Sequence, residues 1–201
     1  ASIGATSSDK IGNARFETSA MITAAATITL SFKNVDGVND YNLESVKIGT
    51  DTGEGLGVLT EVINKNSDML GGIQASYQVI TTGSTSILSG TINGLKINGV
   101  TIGNIKVDDA NDASGVLIAA INNFKETTGV EASTDSQGRL VLTSRDGRAI
   151  QISASGVAGN TLATTMNGMI GIGGTSTSNT DFNGGRLTLT RVGAADIIVS
   201  A

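Results

Sequence analysis

The chain has 201 residues, with 13 Lys+Arg against 18 Asp+Glu for a formal charge of −5. It contains no Cys, His, Pro or Trp, so disulfides, thiolate zinc sites, Ser-His-Asp triads and Cys-His pairs cannot be built within it. Ile, Val, Leu and Phe account for 52 residues, above the roughly one-fifth floor below which chains stay unfolded.

Residues 14–33 read as an N-terminal pair of strands, in which Ile28, Leu30 and Phe32 alternate onto one face before Asp36-Gly37 turns the chain. A strand carrying Leu43, Val46 and Ile48 follows, then a polar Gly/Asp loop. The stripe Val58, Leu59, Val62 and Ile63 predicts a helix from about Gly57 to Asp68. Gly71 or Gly72 closes it, and Ile73, Ala75, Tyr77 and Val79 mark an exit strand. From Thr81 a Ser/Thr/Gly tract reads as an exposed loop. A second strand carries Ile97, Val100 and Ile102. A second helix, about Ser114 to Thr127, shows Leu117, Ile121 and Phe124, with Gly129 as its cap and Val130, Ala132 and Thr134 on the exit strand. Residues 138–153 predict a hairpin around Asp146-Gly147.

These elements repeat. Glu44–Gly49 aligns with Asn98–Gly103, Gly57–Asn64 with Gly115–Asn122, and Gly72–Ser76 with Gly129–Ser133, at offsets of 54, 58 and 57 residues. The hairpin expected after Val79 is missing there. Its counterpart is at the other end of the chain: residues 185–200 match residues 138–153 without a gap, with seven of sixteen positions identical. The expected fold class is therefore α+β, with two small repeated antiparallel-sheet-plus-helix units, the second inserted into the first. The inner, discontinuous unit would span 13–82 plus 183–201, and the outer unit 90–157. Residues 158–182 would form a Gly/Thr/Asn-rich return loop, and 1–12 a connection to a missing core domain. A tandem array with a truncated third copy is the alternative. The N-terminus lacks an initiator Met and a signal-peptide pattern, so Ala1 is expected to lie inside a longer precursor or to follow a cut.

No motif for a metal or cofactor stands up. Gly53-Glu-Gly-Leu-Gly57 resembles a phosphate-cradling loop but lacks the Lys-Ser/Thr of a P-loop, so a structural loop is expected. The Asp108, Asp109, Asn111, Asp112 cluster fails the EF-hand pattern, and Asp112 or Ser114 is expected to cap the helix instead. Arg139, Arg145, Arg148, Arg186 and Arg191 are expected as edge charges, with an anionic ligand or a partner subunit as the alternative. The acidic balance and the few aromatic residues argue against nucleic acid. No apolar run is long enough for a membrane span. Thr81, Thr82, Ser84, Thr85 and Ser86, with Thr175, Ser176, Thr177 and Ser178, would offer accessible hydroxyls to O-linked sugars. The chain has no Asn-X-Ser/Thr sequon.

The ordered segments Leu95–Gly103, Leu117–Asn122, Thr128–Ser133 and Gly138–Gly147 resemble the "IN" motif of the variable regions of bacterial flagellins. The opening Ser2–Gly12, with Arg15–Thr18, is similar to the start of the central region of epsilonproteobacterial flagellins. The resemblance implies a structural, extracellular protein with no catalytic site or cofactor. It further implies partnership with other flagellin subunits, through missing core domains and weak outer-domain contacts, and passage unfolded through the flagellar type III export machinery. Such a region supports swimming motility and presents surface antigens and O-linked glycans. A carbohydrate-binding or adhesive module of another secreted surface protein is the rival reading.

Overall fold

The first helix shows how the apolar pattern builds this molecule. In a computed structural model that describes residues 14–154, 169, 171–172, 180–192 and 196–200, α1 spans Leu56–Lys65 and buries Leu56, Leu59, Val62 and Ile63. It follows strands β1 (Ala14–Thr18), β2 (Ala26–Ile28), β3 (Ser31–Phe32), β4 (Tyr41–Asn42) and β5 (Val46–Ile48). Next come β6 (Gln74–Gln78), β7 (Ile80–Ser86), β8 (Gly90–Ile97) and β9 (Val100–Val107). A single 3-10 turn at Ala110–Asp112 leads to α2 (Val116–Asn122) and α3 (Lys125–Thr128). The chain continues through β10 (Val130–Thr134), β11 (Arg139–Ser144), β12 (Ile150–Ser153), β13 (Thr180–Asn183), β14 (Arg186–Val192) and β15 (Val199–Ser200).

The fold is α+β, made mostly of antiparallel sheets. The strand orders are β1-β14-β6, β15-β3-β4 and β2-β5, and separately β10-β11-β7 and β13-β12-β8-β9. Among the described residues, the first three sheets draw only on residues up to Gln78 and from Arg186 onward, and the last two only on residues 80–183. Leu187 and Leu189 sit opposite Tyr77 and Ala75 in β6. The α1 helix packs on β6, β5 and β14, and α2 packs on β10 and β9. The buried side chains of both groups join in one apolar core.

Several expectations change. The second helix is two pieces: the chain leaves helical geometry at Phe124, where φ is −108°. Asn123 and Phe124 are weak helix formers, and the Thr128 hydroxyl ties back to the Phe124 carbonyl, 2.9 Å away. Residues 138–153 turn at Asp146-Gly147 but do not form a hairpin, since β11 and β12 lie in different sheets. Buried residues on both strands (Leu140 and Leu142, Ile150 and Ile152) let the chain turn a corner between layers. The strands of the matching residues 185–200 also lie in different sheets, β14 with β1 and β6 and β15 with β3, although both residues of β15 are exposed. The tract 81–86 is a strand, not a loop: β7 pairs with β11, with Thr82 opposite Val141. The stretch Thr27–Lys33 breaks into two short strands, β2 pairing with β5 and β3 with β15 and β4. The expected connection at 1–12, most of the return loop 158–182, and the hydroxyls of Thr175, Ser176, Thr177 and Ser178 lie outside the described residues.

Candidate functional site

The repeated Ile-Asn pair at the end of each helix performs one task twice. Asn64 donates its side-chain N–H to the Ala75 carbonyl (3.1 Å) and accepts the Ala75 backbone N–H on its oxygen (2.7 Å). Asn122 does the same to Ala132, at 2.9 and 2.7 Å. Only a carboxamide supplies a donor and an acceptor side by side in this geometry. Ile63 and Ile121, just before each Asn, are fully buried and fix the helix face. Ala75 and Ala132 lie on β6 and β10, each the outer strand of its sheet. The helix therefore closes part of a sheet edge that would otherwise offer unpaired backbone groups. The sequence signal for this role was recurrence of Asn at one position in both copies.

A third Asn ties the same region together. Asn98 sits in the β8–β9 turn with φ 50°. Its amide donates to the carbonyls of Thr128 (2.8 Å) and Ala149 (3.0 Å), and its oxygen accepts from the Gln151 N–H (2.8 Å). Three backbone groups from two segments, the end of α3 and the start of β12, thus converge on one side chain.

The acidic loop is a helix device. Gly115, in left-handed geometry, is the N-cap of α2. The buried Asp112 carboxylate reaches over it to accept the N–H groups of Leu117 (3.0 Å) and Ile118 (2.9 Å). Both oxygens are occupied by orphan amides of the first turn, where negative charge is also favoured by the helix dipole. Asp108 pairs with Lys106 at 2.6 Å.

The arginines do not form one cluster. Arg139 pairs with Asp135 across the β10–β11 turn at 2.7 Å, and that guanidinium lowers the Asp135 pKa, helped by the Arg139 backbone N–H. Arg186 donates to Ser19 O, and Arg191 to Val35 O and Asp196 O. Arg145 stands near Glu126 and Glu131, at 3.7 and 3.9 Å. Arg148 is buried, which corrects its reading as an edge charge. It donates to Asp146 (2.8 Å) and to the Thr127 carbonyl at the end of α3 (3.2 Å). Burial pushes the Asp146 carboxyl up, but hydrogen bonds from the Arg148 side chain and backbone, with its charge, outweigh this and hold it below the usual range.

The hydroxyls of β7 face differently. Thr82, Ser84 and Thr85 are exposed, whereas Thr81 and Ser86 are half-buried. Thr81 accepts from Asn183 (2.9 Å), and the Ser84 hydroxyl donates to Gly171 O (3.2 Å). An open cleft of about 330 Å³ is lined in part by Lys47, Asp51, Glu54, Gln151 and Phe182. Its Lys47–Glu54 ion pair (2.6 Å) raises the Lys47 pKa.

Comparison with known proteins places this geometry in context. Residues 94–146, which hold Asn98, Asp112 and Asn122, match the family model described as the flagellin hook IN motif. Over 202 residues and all of this chain, the sequence is 50% identical to flagellin A of Helicobacter pylori, covering 39% of that protein. It is 49% identical to flagellin B of the same species over 210 residues, again across the whole chain and 40% of the relative. Flagellin A of Helicobacter felis is 50% identical over 202 residues, covering 99% of this chain and 38% of the relative. The chain thus spans about two fifths of the length of these curated relatives. With the IN motif in place and the identity sustained from end to end, the sequence is that of a flagellin segment of the epsilonproteobacterial type.

Proposed function

We propose that this chain is the outward-facing part of a flagellin subunit, a structural element of the extracellular flagellar filament that acts as scaffold and not as enzyme. The observation that carries the reading is the identity of about one half over the whole chain to three flagellins. The site agrees with it. Asn64, Asn98, Asn122 and Asp112 all spend their polar atoms on the backbone of this chain, as scaffold residues do. The test is immuno-electron microscopy with antibodies raised against residues 14–200, applied to intact filaments of the bacterium that makes the protein. Labelling along the filament is expected. Labelling only after the filament is dissociated would contradict the outward position.

The same reading holds the chain to be two copies of one unit, the second inserted into the first. Three features support it. Strand pairing divides at Val79/Ile80 and at Asn183/Gly184. The Asn clamp occurs once on each side of that division. The strands of 138–153 lie in two different sheets, and so do those of 185–200. We further assign the exposed Thr82, Ser84 and Thr85 of β7, with Thr175, Ser176, Thr177 and Ser178, as acceptors for O-linked glycans. Peptide mass spectrometry on protein from its native host should find mass increments on these peptides, and unmodified peptides throughout would remove the assignment. Partners would be neighbouring subunits, through core domains outside this chain and weak outer contacts, and the type III export machinery. Passage unfolded through a narrow channel suits a chain without Cys or Pro, which has no disulfide or prolyl isomer to correct on refolding.

A further inference from the structure

The glycine-rich loop before α1 is not explained by the filament role, yet its surroundings are specific. Leu56, the first residue of α1, donates its N–H to the Gly147 carbonyl at 2.8 Å. The Ala149 N–H donates to the Gly49 carbonyl, also at 2.8 Å. These bonds link the loop between β5 and α1 to the Asp146-Gly147 corner between β11 and β12. The approach is too close for any side chain. A Cβ on Gly57 would overlap the Asp146 carbonyl oxygen, and one on Gly147 would overlap the Gly57 nitrogen. Tyr77 closes the side, its ring 3.0 Å from where a Gly147 Cβ would stand. The helix N-terminus that would hold phosphate in a nucleotide-binding loop is here filled by a carbonyl from a distant part of the chain.

We propose that this corner is a latch: seated on the N-terminus of α1, it holds the α1-bearing and α2-bearing units in one fixed orientation, so that the pair moves as a single stiff body. The covalent crossings alone would leave a hinge. They are single strands at Val79–Ile80 and Asn183–Gly184, bridged by the Asn183 side chain donating to the Ile80 carbonyl at 2.8 Å. The latch adds the Leu56–Gly147 and Ala149–Gly49 hydrogen bonds to those crossings, and a second set of fixed points is what opposes rotation about them. The corner itself is stiffened from within by Arg148, buried between Asp146 and the end of α3. The proposal takes the two units from the preceding reading and does not depend on the filament role.

Gly57→Ala separates the latch from local stability. Gly57 lies within α1, where Ala is the better helix former by about 1 kcal/mol, so the helix gains while the seat is blocked. The absence of Cys allows clean spin labels at the exposed Glu61 and Thr101 through Glu61→Cys and Thr101→Cys. Double electron–electron resonance should give one narrow distance distribution in the parent. In G57A the width should at least double while the amides of β6, β10, β11 and β14 stay protected from exchange. A broad parent distribution, or an equally narrow one in G57A, would overturn the latch. Should G57A fail to fold, amide exchange on the unaltered chain decides. Protected Leu56 and Ala149 amides that open together uphold it, and a Leu56 amide exchanging as in a free chain overturns it. The two-unit reading fails separately, if residues 80–183 do not fold when excised.

Discussion

Strands β10 and β11 are joined by four residues, Asp135–Gly138, whereas β6 and β14, which pair in the same sense, are separated by residues 79–185. The local pair has a built turn: the Asp135 carboxylate accepts the N–H groups of Gln137 and Arg139 at 2.9 and 3.0 Å. The distant pair has no such help. Closing its loop in a free chain costs about 3 kcal/mol more than closing a four-residue one. Folding of the intervening segment offsets that cost, because Asn183 then lies against Ile80 and the two ends are already together. Two strand pairs of the same sense thus close over loops of very different length, one by its own turn and the other only once distant residues meet. On the proposed two-unit reading, the β10–β11 pair is expected to form before β6–β14, since its loop is the shorter to close.

The largest effects that probe this comparison come from equivalent core leucines. Leu142 in β11 and Leu189 in β14 occupy matching positions, and both are buried. Each Leu→Ala change should cost about 2–5 kcal/mol. Native-state amide exchange should show L142A weakening β7 and β10, and L189A weakening β1 and β6. Loss of protection in the opposite set would break the equivalence. Next come the clamps. Asn64→Ala and Asn122→Ala each leave a partly buried backbone N–H and carbonyl without a partner, worth about 2 kcal/mol by denaturant titration. Asn→Asp should not rescue, since a carboxylate cannot donate to the Ala75 or Ala132 carbonyl.

A smaller effect follows pH. Asp146 has a lowered pKa in the folded chain, so its stabilising contribution is fully present above the unfolded value of about 3.9 and is lost as pH falls through the folded value. Asp146→Asn should therefore melt below the parent at pH 7, and the gap should close on acidification below about pH 4. A constant gap in melting temperature would show that the pair with Arg148 contributes through packing alone. The slightest signature is kinetic. With no Pro in the chain, refolding should lack the phase of tens of seconds that prolyl isomerisation imposes. Stopped-flow fluorescence from Tyr41 and Tyr77 would detect it.

Much of this arrangement was legible in the residues. The helix stripes, the left-handed cap at Gly129 and the turn at Asp36-Gly37 follow from local pattern, and the repeat located both Ile-Asn pairs. What escaped was set by distant partners. After Ile80 the β7 strand is written only in Ser, Thr and Gly, of which Thr alone favours strands, and its place is set by the edge that β11 presents to it. The Asp146-Gly147 signal specified a turn but could not say that its two strands would enter different sheets. The Gly53–Gly57 loop read as a plain connection because its partner, Gly147, lies ninety residues further along the chain. The arginines read as edge charges because burial of Arg148 depends on the carbonyl of Thr127, which no local pattern reveals.

The most direct test of the inserted-unit account is to express residues 80–183 alone and record a two-dimensional amide NMR spectrum. Among the described residues, every strand partner of β7 to β13 lies within that stretch. The account predicts dispersed resonances, slow exchange in β10 and β11, and cooperative melting. A collapsed spectrum with free-chain exchange would contradict it.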